Sequence, residues 1–166
     1  ADPATPVAWV EGFADGLGEA ARAAGAGVFG GDLSSAPSGV LAVSVTALGT
    51  LDGHPPVLRS GAQPGDLVAV AGTLGRSAAG LVLLQQQRPE LGPELVAAQR
   101  RPQPPLAEGP LAAVAGARGM LDISDGLLRD GSRVASASAV ALDFSREALA
   151  PYAAQLANAV GPDTAW

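Results

Sequence analysis

Cysteine and lysine are both absent from the 166 residues. Without cysteine there is no disulfide, no thiolate nucleophile and no thiolate metal site. Without lysine there is no Schiff base and no phosphate-gripping lysine, and all 10 basic residues are arginine. Histidine occurs once, as His54 between Gly53 and Pro55 in a turn-rich stretch, and reads as a surface residue. Neither Ser34 nor Ser77 therefore has a histidine partner for a Ser-His-Asp nucleophile. No apolar run approaches the roughly 20 residues of a membrane span. The start, ADPATP, has neither the basic nor the apolar region of a secretory signal. Positive charge is also scarce, 10 basic against 16 acidic residues for a net charge of −6. A nucleic-acid binder needs clustered cations to displace counterions, so neither nucleic acid nor membrane is an expected partner. The lack of cysteine is compatible with the cytoplasm, which is the expected location.

What is present describes a folded chain. Hydrophobic residues make up 48% and charged residues 16%, the reverse of a disordered composition. Glycine (22) and proline (14) are frequent but follow no collagen period. The length suits one domain, or one domain plus part of another. There is no initiator methionine and no closing signal after NAVGPDTAW, so both ends are expected to be cuts through a longer chain.

Residues 6–25 read as an amphipathic helix, with Thr5 as cap, Pro6 in the first position, and Trp9, Val10, Phe13, Leu17 and Ala21 on a core-facing stripe. Short strands are expected at 28–29 and 40–47, the second from the alternation of Leu41, Val43 and Val45 with Ala42, Ser44 and Thr46. Residues 49–66 are broken by Gly, Pro and Asp, and Pro64-Gly65 signals a type II turn. Beyond them the pattern predicts strands at 67–72, 119–124 and 140–144, and helices at 77–87, 91–99, 105–117, 125–137 and 147–160. Alternating strands and helices define an α/β class. A domain boundary is placed at Pro55-Pro56, dividing 1–56 from 57–166.

Three segments could carry chemistry. In Asp122-Ile123-Ser124-Asp125-Gly126, two carboxylates three residues apart stand where a strand passes into a helix. Such hard oxygens suit Mg²⁺, which takes one or two carboxylates with water and phosphate oxygens, and a helix N-terminus favours phosphate. The plainer alternative is that Asp125 is a helix N-cap. Gly30-Gly31-Asp32 permits close backbone approach to a ligand, or is simply an Asx-type turn. In Arg59-Ser60-Gly61-Ala62-Gln63-Pro64-Gly65-Asp66 the arginine is a bidentate phosphate partner, or a solvated side chain beside a turn.

GGDLSSAP at 30–37, VLRSGAQPGDLVAVAGTLGRSAAGL at 57–81 and LDISDGLLRD at 121–130 occur in one order. With that order and spacing the chain resembles the thiamine-monophosphate kinase family, in the superfamily of aminoimidazole ribonucleotide synthetase and selenophosphate synthetase. The resemblance implies a two-domain α/β (α+β) fold of the aminoimidazole ribonucleotide synthetase kind. The chain would hold the end of the N-terminal domain and most of the C-terminal one. It implies Mg²⁺-dependent transfer of the γ-phosphoryl group of ATP to thiamine monophosphate, in a homodimer. Gly31 and Asp32 would touch ATP, Arg59 its phosphates and Ser124 the nucleotide; Asp32, Asp122 and Asp125 would ligate Mg²⁺. The family's earlier GDDAA-type and Asp-Thr motifs and its later GGED motif do not occur, so this segment alone is expected to be inactive and prone to aggregate through an open sheet edge. The alternatives are another ATP-using member of the superfamily, or an inactive α/β interaction domain.

Overall fold

The computed structural model describes residues 1–160. The chain divides into two compact units, Ala1–Thr50 and the segment from Leu51 onward.

The first unit holds one helix, α1 (Val7–Ala23). It starts one residue later than the proline pattern predicts. Pro6 is the N-cap, and Thr5 makes no side-chain cap. The turn ahead of α1 is organised by Asp2 instead. Its carboxylate accepts hydrogen bonds from the Ala4 N–H (2.8 Å), the Gly39 N–H (2.7 Å) and the Ser38 hydroxyl (3.3 Å). These donors hold the Asp2 carboxyl below its ordinary pKa, the Gly39 N–H first. Trp9 and Phe13, expected in a core, stack on each other with ring centroids 5.8 Å apart but stay 42% and 36% exposed. No residue of α1 is buried.

The second unit carries α2 (Arg76–Gln85), a 3-10 turn (Pro89–Leu91), α3 (Pro93–Arg100), α4 (Glu108–Val114), α5 (Leu127–Ser138) and α6 (Arg146–Val160). All five α-helices fall where the periodicity predicts them. Pro93 opens α3 at a position where a missing N–H costs nothing. Ser145 caps α6 by accepting from the Ala148 N–H at 3.3 Å. The core lies where α2, α3 and α6 meet, and consists of Ala79, Leu83, Leu95, Val96 and Leu156. Leu83 and Leu156 are fully enclosed, each worth about 1.5–3 kcal/mol of burial. Ser77 Oγ bonds Gln99 Oε1 (2.5 Å) and ties α2 to α3 a second time.

The expected strands differ from the sequence reading. Among the described residues no strand forms: 28–29, 40–47, 67–72, 119–124 and 140–144 are non-helical segments without a ladder. A strand exists only through hydrogen bonds to a neighbouring strand, and here none of these segments finds one. Apolar side chains of the earlier segments stay outside, Phe29 100% and Leu67 96% exposed, while Met120, Leu121, Val140, Leu142 and Phe144 are half-buried.

Helices α2 and α3 approach so closely at Gly80 that any Cβ there would overlap the Leu95 carbonyl. Gly80→Ala must therefore push the two helices apart. It is expected to cost about 1–3 kcal/mol or more, as overpacking does, read as a lower urea midpoint with an unchanged slope.

Candidate functional site

The segment 122–126 is shaped by one carboxylate from the helix that follows it. Asp130, on the first turn of α5, is 2% exposed. Its Oδ2 accepts from the Ser124 N–H (2.9 Å) and the Asp125 N–H (2.8 Å). Its Oδ1 accepts from Arg133 Nη1 at 2.6 Å. The second arm of the same guanidinium, Nη2, reaches Asp125 Oδ2 at 2.7 Å. Arg133 thus bridges a buried carboxylate and a half-exposed one.

The helix itself begins at Leu127. Asp125 is not its N-cap; Gly126 is, at φ 109° and ψ 153°, a conformation open to glycine and hardly to any other residue. This kink, with the grip of Asp130 on two N–H groups, sets the course of 122–126. Asp122, Ser124 and Asp125 are all exposed there.

The other end of α5 holds the arginine segment. Ser138 Oγ donates to the Arg59 carbonyl (2.8 Å) and accepts from the Ala62 N–H (3.1 Å). The Pro64-Gly65 turn is type II as expected, with Gly65 at φ 91° and the Asp66 N–H donating to the Gln63 carbonyl at 3.1 Å. Asp66 pairs with Arg118, whose Nε lies 3.1 Å from Asp66 Oδ2. The Met120 N–H donates to the Leu58 carbonyl at 3.3 Å. Segment 58–66 is thereby laced both to α5 and to the residues that lead into 122–126.

Beside α5 this leaves a shallow, open depression of about 400 Å³ (the cavity on α5 below), lined by Arg59, Ser132, Arg133, Ser136 and Ala137. Arg59 and, through Arg133, Asp125 share one neighbourhood. Asp122 and Ser124 belong to the same short segment as Asp125. Gly31 and Asp32 lie in the first unit, in an exposed non-helical segment where Asp32 accepts from the Ser34 hydroxyl at 2.9 Å. This bond comes from a side-chain hydroxyl and not from a backbone N–H, so it is not an Asx turn. Among the described residues no three metal-ligating side chains converge. His54 is exposed in its turn, as expected.

Asp130 and Arg133 were missed as members of the site. Asp130 closes the recognisable LDISDGLLRD string, and Arg133 follows at the helical i+3 spacing that lets the two pair. That spacing was the available signal.

Comparison with known proteins gives the class first. Residues 2–51 match the family model for "AIR synthase related protein, N-terminal domain". Thiamine-monophosphate kinases are the particular relatives. The chain is 50% identical over 150 residues to that of Mycobacterium tuberculosis, covering 88% of this chain and 43% of the relative. It is 38% identical over 169 residues to that of Corynebacterium glutamicum (98% and 50%), and 32% identical over 150 residues to that of Bacillus subtilis (85% and 46%). The resemblance read from the motifs is borne out: the chain is a relative of the thiamine-monophosphate kinases. It spans about half the length of these relatives or less. No solved structure matches it significantly.

The Asp130 carboxyl is held below its ordinary pKa, first by the Asp125 N–H, then by the Ser124 N–H and Arg133, against the opposing effect of burial. A folded-state pKa below the unfolded value contributes stability that is complete above about pH 4 and is lost as the pH falls through the lower, folded value. The Ser124 and Asp125 amides are expected to be protected from hydrogen exchange at neutral pH and to lose protection only under acid. Asp130→Ala, which removes both acceptor oxygens, should remove that protection at every pH. Unchanged protection in the variant would show that other contacts shape 122–126.

Proposed function

We propose that the protein acts as a thiamine-monophosphate kinase: it uses ATP and Mg²⁺ to phosphorylate thiamine monophosphate to thiamine diphosphate. The observation that carries this is 50% identity to the mycobacterial enzyme over 88% of the chain. The curated relatives do not favour the alternative of a different superfamily enzyme. Three carboxylates and an arginine retained at the motif positions speak against an inactive interaction domain.

In this reading Asp32, Asp122 and Asp125 hold Mg²⁺, Gly31 and Asp32 touch ATP, Arg59 holds its phosphates, and Ser124 touches the nucleotide. The donor set fits an open Mg²⁺ site. Asp122 is exposed and makes no side-chain hydrogen bond among the described residues, and Asp125 commits one oxygen to Arg133. Two such carboxylates, completed by water and phosphate oxygens, are what Mg²⁺ takes. The bound metal would offset phosphate charge during transfer. The chain's own contribution is positional. Asp130 and Gly126 set the carboxylates, and Ser138 sets the backbone that carries Arg59. We further propose the two-domain α/β fold of the aminoimidazole ribonucleotide synthetase kind. Residues 1–56 would belong to the N-terminal domain and 57–166 to the C-terminal one, with the segments 40–47, 67–72, 119–124 and 140–144 completed as strands within it. A cytoplasmic homodimer with no nucleic-acid or membrane partner completes the reading. No helix among the described residues is long and apolar enough to cross a membrane.

The test is a chimera in which this chain replaces the matched segment of the mycobacterial kinase, incubated with ATP, Mg²⁺ and thiamine monophosphate. Thiamine diphosphate by chromatography is expected. A folded chimera that binds ATP but makes no product would overturn the substrate assignment. Within an active chimera, Asp122→Asn should lower turnover about a hundredfold or more, while stability stays within about 0.5 kcal/mol. A large loss of melting temperature with normal turnover would make Asp122 structural. Arg59→Ala should weaken ATP binding about tenfold, the worth of a charge-assisted hydrogen bond; unchanged affinity would remove Arg59 from the site.

A further inference from the structure

Arg133 has two neighbourhoods. One arm of its guanidinium is bonded to Asp130 and the other to Asp125. The same side chain lines the cavity on α5 with Arg59, Ser132 and Ser136. The polar residues that line it are of one kind, two arginines and two serines, with no carboxylate among them. Ser132 already donates its hydroxyl proton to the Arg129 carbonyl at 2.7 Å. The donors left for a ligand are therefore Arg59, Arg133 and Ser136. Planar guanidinium groups with a hydroxyl match a phosphate group.

The charges alone say that this cavity should be a poor anion site as it stands. Arg59 and Arg133 are outweighed by Asp122, Asp125 and Asp130, and Arg133 spends both arms on the last two. A divalent cation taken up by Asp125 changes both facts. It turns a net negative cluster positive, and it competes with Arg133 for the carboxylate. The Asp130 bond stays, buried, and keeps the guanidinium over the cavity.

We propose that Arg133 is a coupling residue: it neutralises Asp125 until a divalent cation takes that carboxylate, and its released arm then joins Arg59 and Ser136 in binding a phosphate group in the cavity on α5. This deepens the reading of the previous subsection and rests on its placement of a cation at Asp125. Cation and phosphate binding are then linked, and by thermodynamic necessity each strengthens the other. The guanidinium is planar and rigid, so it turns as one unit about its Asp130 bond while the backbone stays in place.

The coupling can be tested without metal and without turnover, on this chain, by calorimetric titration with inorganic pyrophosphate. Asp125→Asn imitates the released state, because it removes the charge that holds the Nη2 arm. It should tighten pyrophosphate binding by roughly tenfold. In an Arg133→Gln background the same substitution should give much less. Equal tightening in both backgrounds would mean that only net charge matters and would overturn the coupling. Ser136→Ala, which leaves the Asp130 clamp intact, should weaken binding to the Asp125→Asn protein. If Ser136→Ala and Arg59→Ala both leave affinity unchanged, the cavity is not the phosphate site and the proposal falls. Substituting ADP for pyrophosphate separates a nucleotide from a free polyphosphate as the natural source.

A second arm keeps this apart from the function itself. Mn²⁺ binding followed by electron paramagnetic resonance should be weakened by Asp122→Asn and tightened by Arg133→Gln. Weakening by both would leave the cation site standing and overturn Arg133 as a competitor. No effect of Asp122→Asn or Asp125→Asn would remove the cation site, and the coupling with it.

Discussion

The site depends on one buried carboxylate. Asp130 is 2% exposed, and its partners are all donors: two backbone N–H groups and a guanidinium. An anion taken out of water is costly unless such donors replace the solvent. Removing any one of them leaves charge uncompensated in a closed place. The arrangement is therefore stiff. It also points upstream, so a residue inside α5 decides the backbone course of residues that precede the helix. Asp122, Ser124 and Asp125 can stay exposed and available because the residue that holds their segment is none of them.

Helix α5 extends this logic to its far end. Asp130 grips 124–125 at the start, Ser138 grips 59 and 62 at the finish, and Gly131 lets Leu142 and Phe144 close over the middle. A Cβ at position 131 would stand 2.9 Å from Phe144 Cζ, so the return segment lies hard against the helix. Two sequence-distant motifs are thus referenced to a single rigid rod. Their mutual geometry is set by a helix that carries none of the proposed ligand-binding residues.

The helices were legible in the sequence because each carries its own instructions. Spacing of apolar positions, Pro93 at a helix start and glycine near helix ends need no distant partner. The strands were legible only as patterns. Leu41, Val43 and Val45 alternate as a strand should, yet they remain 48%, 54% and 66% exposed, since a ladder needs a neighbour that local sequence does not supply. The stripe of Trp9 and Phe13 has the same history. Helical spacing announces a buried face, and burial requires a surface to lie on. For the site, residue types and order single out Arg59, Asp122, Ser124 and Asp125 as candidates. They did not give Asp130 or Arg133, because a buried carboxylate clamp and an ordinary i,i+3 surface pair look alike in sequence.

That ambiguity has a physical root. An Asp-x-x-Arg pair on an exposed helix face is worth a few tenths of a kcal/mol and positions nothing. The same pair becomes decisive when the Asp is closed in by the segment before the helix and the Arg has a second carboxylate within reach. Gly126 makes the difference here: its φ of 109° turns 124–125 back over the first helical turn, and the fold-back both buries Asp130 and brings Asp125 to Arg133. The motif glycine is therefore more than a helix entry. It converts a routine helical ion pair into the fixed point from which the exposed carboxylates on one side and the Arg59–Arg133 depression on the other are both set out.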